Sequence, residues 1–145
     1  MNAIVMNTLT GAVSEYDSFG FDTITATHAG SEDGLYLLDG GTDDGAIITS
    51  TVLSGKTLMG TAQKKRLSSI YFSVRGAGDG QCVVAGENSA HTYPFPIRPT
   101  GESRATPGKG IRENYLAFGF SNSAGADFVL DQIEADVVPV AVRRI

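Results

Sequence analysis

Asp39-Gly40-Gly41-Thr42-Asp43-Asp44-Gly45 gathers three potential metal ligands within seven residues. Its three carboxylates, Asp39, Asp43 and Asp44, are the hard oxygen donors that Ca²⁺ takes. An EF-hand loop needs such donors at alternate positions and a closing glutamate, and this run has neither. The paired glycines fit a turn, and a turn is what the run predicts. His28 and His91 are the only histidines, with no H-x-x-x-H spacing between them, and both are expected to be ordinary surface side chains. Cys82 is the only cysteine. It excludes an intrachain disulfide and a cysteine-cluster zinc site, and its β-rich surroundings predict a small packed side chain. Gly76-Ala77-Gly78 lacks the third glycine and the helix of a dinucleotide site. Gly108-Lys109-Gly110 has glycine where a phosphate loop needs Ser or Thr, and Gly101 is wrongly spaced before it. No G-x-S-x-G elbow occurs. Carboxylate pairs for glycoside hydrolysis meet only in space, and nothing marks two of the sixteen acids as such a pair. The expectation is a chain that is not an enzyme, with no catalytic residue, no metal ligand and no cofactor.

The elements that would position these residues are strands. Ile70, Phe72 and Val74 alternate with Ser69, Tyr71, Ser73 and Arg75, the pattern of a half-buried strand. Gly76–Gly80 and then Gln81–Ala85 follow, so the spacing predicts a hairpin there. Tyr93, Phe95 and Ile97 share a face, with Pro94 and Pro96 between them. Proline donates no ladder hydrogen bond, which places this stretch on a sheet edge. Further strands are expected at Ala3–Met6, Ala12–Tyr16, Phe21–Ala26, Gly34–Leu38, Ala46–Leu53, Asn114–Phe120 and Phe128–Glu134. In the last of these Phe128 and Leu130 share one face and Val129 and Ile133 the other, so both faces are expected to be partly covered. Only Lys56–Arg66 could hold a helical turn, and Gly60 weakens it. Arg98–Gly110, with Pro99, Pro107 and its glycines, predicts a long loop. The fold class expected is all-β, a jelly-roll-like β-sandwich of short antiparallel strands joined by long Gly/Pro-rich loops.

The chain has 145 residues, 41% of them hydrophobic, enough to build a core. The chain has eighteen glycines and no Trp, but its 41% hydrophobic content with seven Phe and five Tyr argues against disorder. No apolar run reaches the roughly 20 residues of a membrane-spanning helix, and the N-terminus lacks the basic lead-in of a signal peptide; no membrane partner is expected. The net charge of −5 is unevenly divided. Residues 1–44 carry eight acidic side chains and no Lys or Arg. Lys56 to Arg112 carries nine basic and three acidic side chains, and Glu113 to Ile145 five acidic and two basic. Charge divided this way steers association and fixes register between molecules. Only Lys64-Lys65-Arg66 resembles a nucleic-acid patch, and nucleic acid is not expected as a partner. The charge changes sign near residue 55, but about 55 residues of β-structure make a marginal core. One domain is therefore expected over 1–135.

Asn7-Thr8-Leu9-Thr10-Gly11-Ala12-Val13-Ser14-Glu15-Tyr16, Phe19-Gly20-Phe21 and Gly34-Leu35-Tyr36-Leu37, closing on Gly40–Gly45, form an ordered set. It continues with Gly55-Lys56-Thr57, Lys64-Lys65, Gly108–Arg112 followed by Tyr115, and Gly125–Glu134. As a set, from about residue 3 to 134, these motifs resemble uncharacterised structural proteins of the tailed-phage virion, components of the tail or tail tip. The resemblance implies a structural component of a bacteriophage virion, in the tail, tail tip or baseplate. It would be made in the host cytoplasm and located in the particle, with other virion structural proteins as partners and a homo-oligomeric ring as its assembly. It implies no catalytic residues. The alternative is a carbohydrate-binding jelly-roll module that attaches to a host surface, against which the lack of Trp counts.

Candidate assembly contacts are Arg98, Arg104 and Lys109 in the long loop, and Val138, Val140, Arg143 and Arg144 near the C-terminus. Residues 136–145 lie beyond the resemblance. Their valines favour extended structure and Pro139 an edge. They are expected either as a final edge strand of the same domain or as an arm adding to a neighbour's sheet. Left uncovered, they would invite aggregation.

Overall fold

The computed structural model describes residues 3–16, 20–43, 45–100, 102–108 and 111–140. They contain strands and turns and no helix, and every strand pairing is antiparallel. The protein is an all-β, sandwich-like fold. Residues 1–40 and 41–145 form two compact units, the division falling in the Asp39–Gly45 turn region.

The N-terminal unit contains two small sheets. β1 (Ala3–Met6) and β2 (Val13–Tyr16) form a hairpin. Its turn is organised by Asn7, whose side-chain oxygen accepts the Leu9 and Thr10 N–H groups, with Gly11 at φ +73°. β3 (Thr23–Ile24), β4 (His28–Ser31) and β5 (Gly34–Leu37) form a three-stranded meander. Ile24, Ala29 and Tyr36 stand opposite one another on one of its faces, and Phe21 meets the Tyr36 ring at 5.3 Å.

The C-terminal unit begins with the short pair β6 (Thr42–Asp43) and β7 (Ala46–Ile47). It continues with β8 (Thr51–Leu53), β9 (Lys65–Gly76), β10 (Asp79–Ala85), β11 (Ala90–Pro96), β12 (Ser103–Ala105), β13 (Ala117–Asn122) and β14 (Phe128–Pro139). One sheet has the order β11-β10-β13-β8, the other β12-β9-β14. Between them lies the core, built from Leu67, Ile70, Phe72 and Val74 of β9, Cys82 and Val84 of β10, Phe95 of β11 and Phe120 of β13, with Leu116 and Ile111 beside them. Phe72 stacks on Phe95 at 4.5 Å, and Phe120 packs tilted against Phe128 at 4.6 Å, so aromatic contacts tie both sheets together. Gly80 makes room for the rings, since a Cβ there would fall 2.5 Å from Phe120.

Several expectations need correction. Ser69–Arg75 and Gln81–Ala85 are strands as expected, but they are not a hairpin: β9 and β10 lie in different sheets. The Ala77-Gly78 turn, with Gly78 at φ +80°, is an arch between layers. Both strands have an apolar face, and facing each other across the sandwich buries both. β14 is covered on one face rather than two. Its register with β9 shifts at Asp131, which has no partner between Leu130↔Val74 and Gln132↔Ser73. This bulge changes the phase of the strand, so Phe128, Leu130, Ile133, Ala135 and Val137 all pack on the core while Val129 is exposed. A second shift leaves Ser68 unpaired and likewise brings both Leu67 and Ile70 inward.

Lys56–Arg66 holds no helical turn. Thr57 bridges Leu116, Met59 and Gly60 have positive φ, and β9 already begins at Lys65. The long loop at Arg98–Gly110 is interrupted by β12, whose Ser103 and Ala105 are buried against β9. Two small side chains around an arginine give little apolar alternation to read.

Candidate functional site

Among the described residues, Asp39, Asp43 and the two histidines lie in separate local settings. Asp39 accepts the Gly40 N–H at 2.7 Å and Gly40 has φ +97°, which is turn chemistry; Asp44 lies outside the described residues. No group of three or more His, Cys, Asp or Glu side chains that could hold a metal occurs among the described residues. The half-buried His28 has its Nδ1 2.9 Å from Thr27 Oγ1, and the exposed His91 lies near Tyr93. Burial pushes the Cys82 thiol up to about 12, which leaves it protonated and unreactive at neutral pH.

The basic run Lys64-Lys65-Arg66 is divided by strand alternation. Lys64 is exposed, Arg66 half-buried and Lys65 fully buried, its ammonium donating to the Asn114 carbonyl. It does not present three adjacent charges to a phosphate backbone.

Two kinds of surface remain. The first is a groove of about 560 Å³ on the outer face of the three-stranded sheet. Tyr71, Ser73 and Arg75 of β9 supply its floor, Asp131, Gln132 and Glu134 of β14 one side, and Pro99, Thr100 and Glu102 the other. Two pairs of these side chains satisfy each other. Arg75 pairs with the bulged Asp131 at 3.3 Å, and Gln132 donates to Glu134 at 2.6 Å. Arg104 lies over the Tyr71 ring at 5.7 Å and donates to Ser69 Oγ at 2.8 Å.

The second is apolar. Among the described residues of 3–40, Ala29 (1% exposed) is the one buried hydrophobic side chain. Leu9 is 95% exposed, Leu35 76% and Ile4 75%, with Met6, Val13 and Leu37 above half. The same character continues into the C-terminal unit at Ile47, Ile48, Val52, Leu53 and Leu58. Monomeric proteins rarely leave so much strand-borne apolar surface open unless it is an interaction site.

The candidate contacts fall in different places. Arg98 is exposed, and its backbone N–H donates to the buried Ser103 Oγ at 2.9 Å, closing the turn before β12. Arg104 is exposed on the sheet face just described. Val138 and Val140 are half-buried. β14 pairs with β9 out to Pro139↔Lys65, and the Val140 N–H donates to the Lys64 carbonyl, so residues 136–140 lie on the sheet of their own unit, at its edge. Lys109, Arg143 and Arg144 lie outside the described residues. The exposed apolar strands of the first 58 residues were not among the contacts expected. That Ala3–Met6 and Gly34–Leu38 would be strands was legible, and their lack of cover was not.

Comparison with family models, curated proteins and solved structures finds no match.

Proposed function

We propose that the protein is a structural subunit of a bacteriophage virion, in the tail or its tip, that works by protein–protein assembly and not by catalysis. One observation carries the assembly part: the N-terminal unit exposes the aliphatic side chains of its strands and buries almost none of them. Such a unit gains its core by contact with other molecules. The virion part rests on the ordered motifs from Asn7 to Glu134 that resemble tail proteins. The test is mass spectrometry of tails separated from heads in purified particles of the encoding phage. The expected result is this polypeptide in the tail fraction at a fixed ratio to the other tail proteins. Its absence from particles overturns the reading.

The groove beside Tyr71 favours a second reading, attachment to a sugar. Its carboxylates, amide and hydroxyls suit a hydroxyl-rich ligand. Arg104 already occupies one approach to the Tyr71 ring, and Arg75 with Asp131 and Gln132 with Glu134 are already paired. Binding on a glycan array that is lost in Tyr71→Ala would move the reading to this groove.

A further inference from the structure

Among the described residues, the backbone of the run Ser50–Thr57 is bonded along one side only. Asn122 N–H donates to the Ser50 carbonyl, Ser54 N–H to that of Phe118, and Thr57 N–H to that of Leu116. Its β8 portion is the last strand of the four-stranded sheet, and no strand among the described residues pairs with its other side. Val52 stands opposite Phe120 and so shares the core-facing side of that sheet. Phe120 is fully buried, yet Val52 is 48% exposed. The inner face of the sheet therefore runs past its cover at β8. Leu58 adds a further exposed apolar side chain, and Lys56 an exposed positive charge.

The N-terminal unit offers the counterpart. β5 is an edge strand of four residues, comparable to the three of β8. Leu35 and Leu37 lie on one of its faces, both exposed, with Gly30 and His28 opposite them. Around them the exposed acids Asp22, Glu32, Asp33 and Asp39 stand in a segment without a single Lys or Arg. The first surface is apolar and edge-like with one positive charge at Lys56; the second is apolar, edge-like and acidic.

We propose that β5 of one copy docks on the β8 edge of a second copy of this chain, its leucines roofing Val52 and its acidic surroundings facing Lys56. The inference rests on the assembly reading and names the partner. Main-chain hydrogen bonds between the two edges supply affinity, and the charge sets which surface meets which. The contact is head-to-tail, so each copy keeps one free surface of each kind. Repetition builds a ring where the rotation closes and a filament where it does not.

Complementation tests this in the full-length chain. One variant, Leu35→Asp with Leu37→Asp, removes the β5 surface. Another, Val52→Asp with Lys56→Glu, removes the β8 surface; Lys56→Glu alone serves if the double change fails to fold. Mass is read by sedimentation velocity at low and high salt, with circular dichroism melts to check folding. The wild type is expected to associate at low salt and to dissociate as salt rises. Each variant alone is expected to be monomeric, and a mixture of the two to form a 1:1 dimer and stop there. A β8 variant that still dimerises by itself shows a contact between like surfaces and overturns the proposal. Association unchanged in both variants does the same, as does a wild type that stays monomeric at every concentration and salt. Those results leave the tail-fraction measurement untouched. Absence from particles with complementation intact removes the virion reading and keeps the contact.

Discussion

The two units use the same strand vocabulary to different ends. In 41–140 the apolar positions of β9, β10, β11, β13 and β14 converge on one core with several residues at zero exposure. In 3–40 the strands are apolar too, with continuous apolar runs in β1 and β5, yet these side chains stay open and Ala29 alone is buried among the hydrophobic residues described. A stretch of about 40 residues can rarely bury enough surface to hold itself together, whatever its pattern. The comparison teaches that local residue type specifies a strand, while burial depends on how many layers are available to cover it.

The strongest way to break the comparison is to delete a large side chain from each unit. Phe120→Ala removes a ring that touches three other Phe rings and should cost about 3–5 kcal/mol in chemical denaturation. Leu35→Ala removes an exposed side chain and should stay within about 0.5 kcal/mol in the same measurement. Similar losses from both would show that the N-terminal unit is as well packed as its neighbour.

Asn122 sharpens the account of how β8 is held. Its Nδ2 donates to the Ile48 and Ala126 carbonyls at 3.0 and 3.3 Å, and its Oδ1 accepts the Ser50 N–H at 2.9 Å. Asn122→Ala leaves these partly buried groups without partners. It should cost about 2 kcal/mol by thermal or chemical melts and release the run that leads into β8. Gly119→Ala should act on the same strand from the other side, since its Cβ would run into the Val52 carbonyl. A loss of about 1–3 kcal/mol is expected, with weaker association if β8 is the docking edge.

Cys82 reports on the C-terminal core through pH. Its thiol is raised from 9.0 to about 12 by burial. The unfolded chain therefore releases this proton first, and the folded state loses stability as pH climbs from about 9 towards 12, with no effect below. Denaturation series at pH 8 and pH 10.5 should show a steeper fall for the wild type than for Cys82→Ala. Equal slopes would mean that the thiol is not desolvated. The smallest effect belongs to the surface. Arg75 and Asp131 are 71% and 51% exposed, so Arg75→Ala should cost about 0.5 kcal/mol or less, and less again at high salt.

Much of the fold was legible because strand signals are local. The alternation at Ile70, Phe72 and Val74 fixed the inward face of β9, and Pro94 and Pro96 placed β11 on an edge, since neither could donate to a further strand. Ala3–Met6 and Gly34–Leu38 also read as strands from residue type and spacing alone, the second one residue longer than β5. The sequence also established the division of charge, with no Lys or Arg before Lys56. Tertiary structure alone decided that β9 and β10 belong to opposite layers, because partner choice depends on where the buried faces can meet. It alone introduced the bulge at Asp131, without which Leu130 and Ile133 could not share a side. It alone decided that Leu35, Leu37 and Val52 stay open while Phe72 and Phe120 are sealed. Side chains of the same apolar class meet these different fates because burial is a property of the layers that come to lie over a strand.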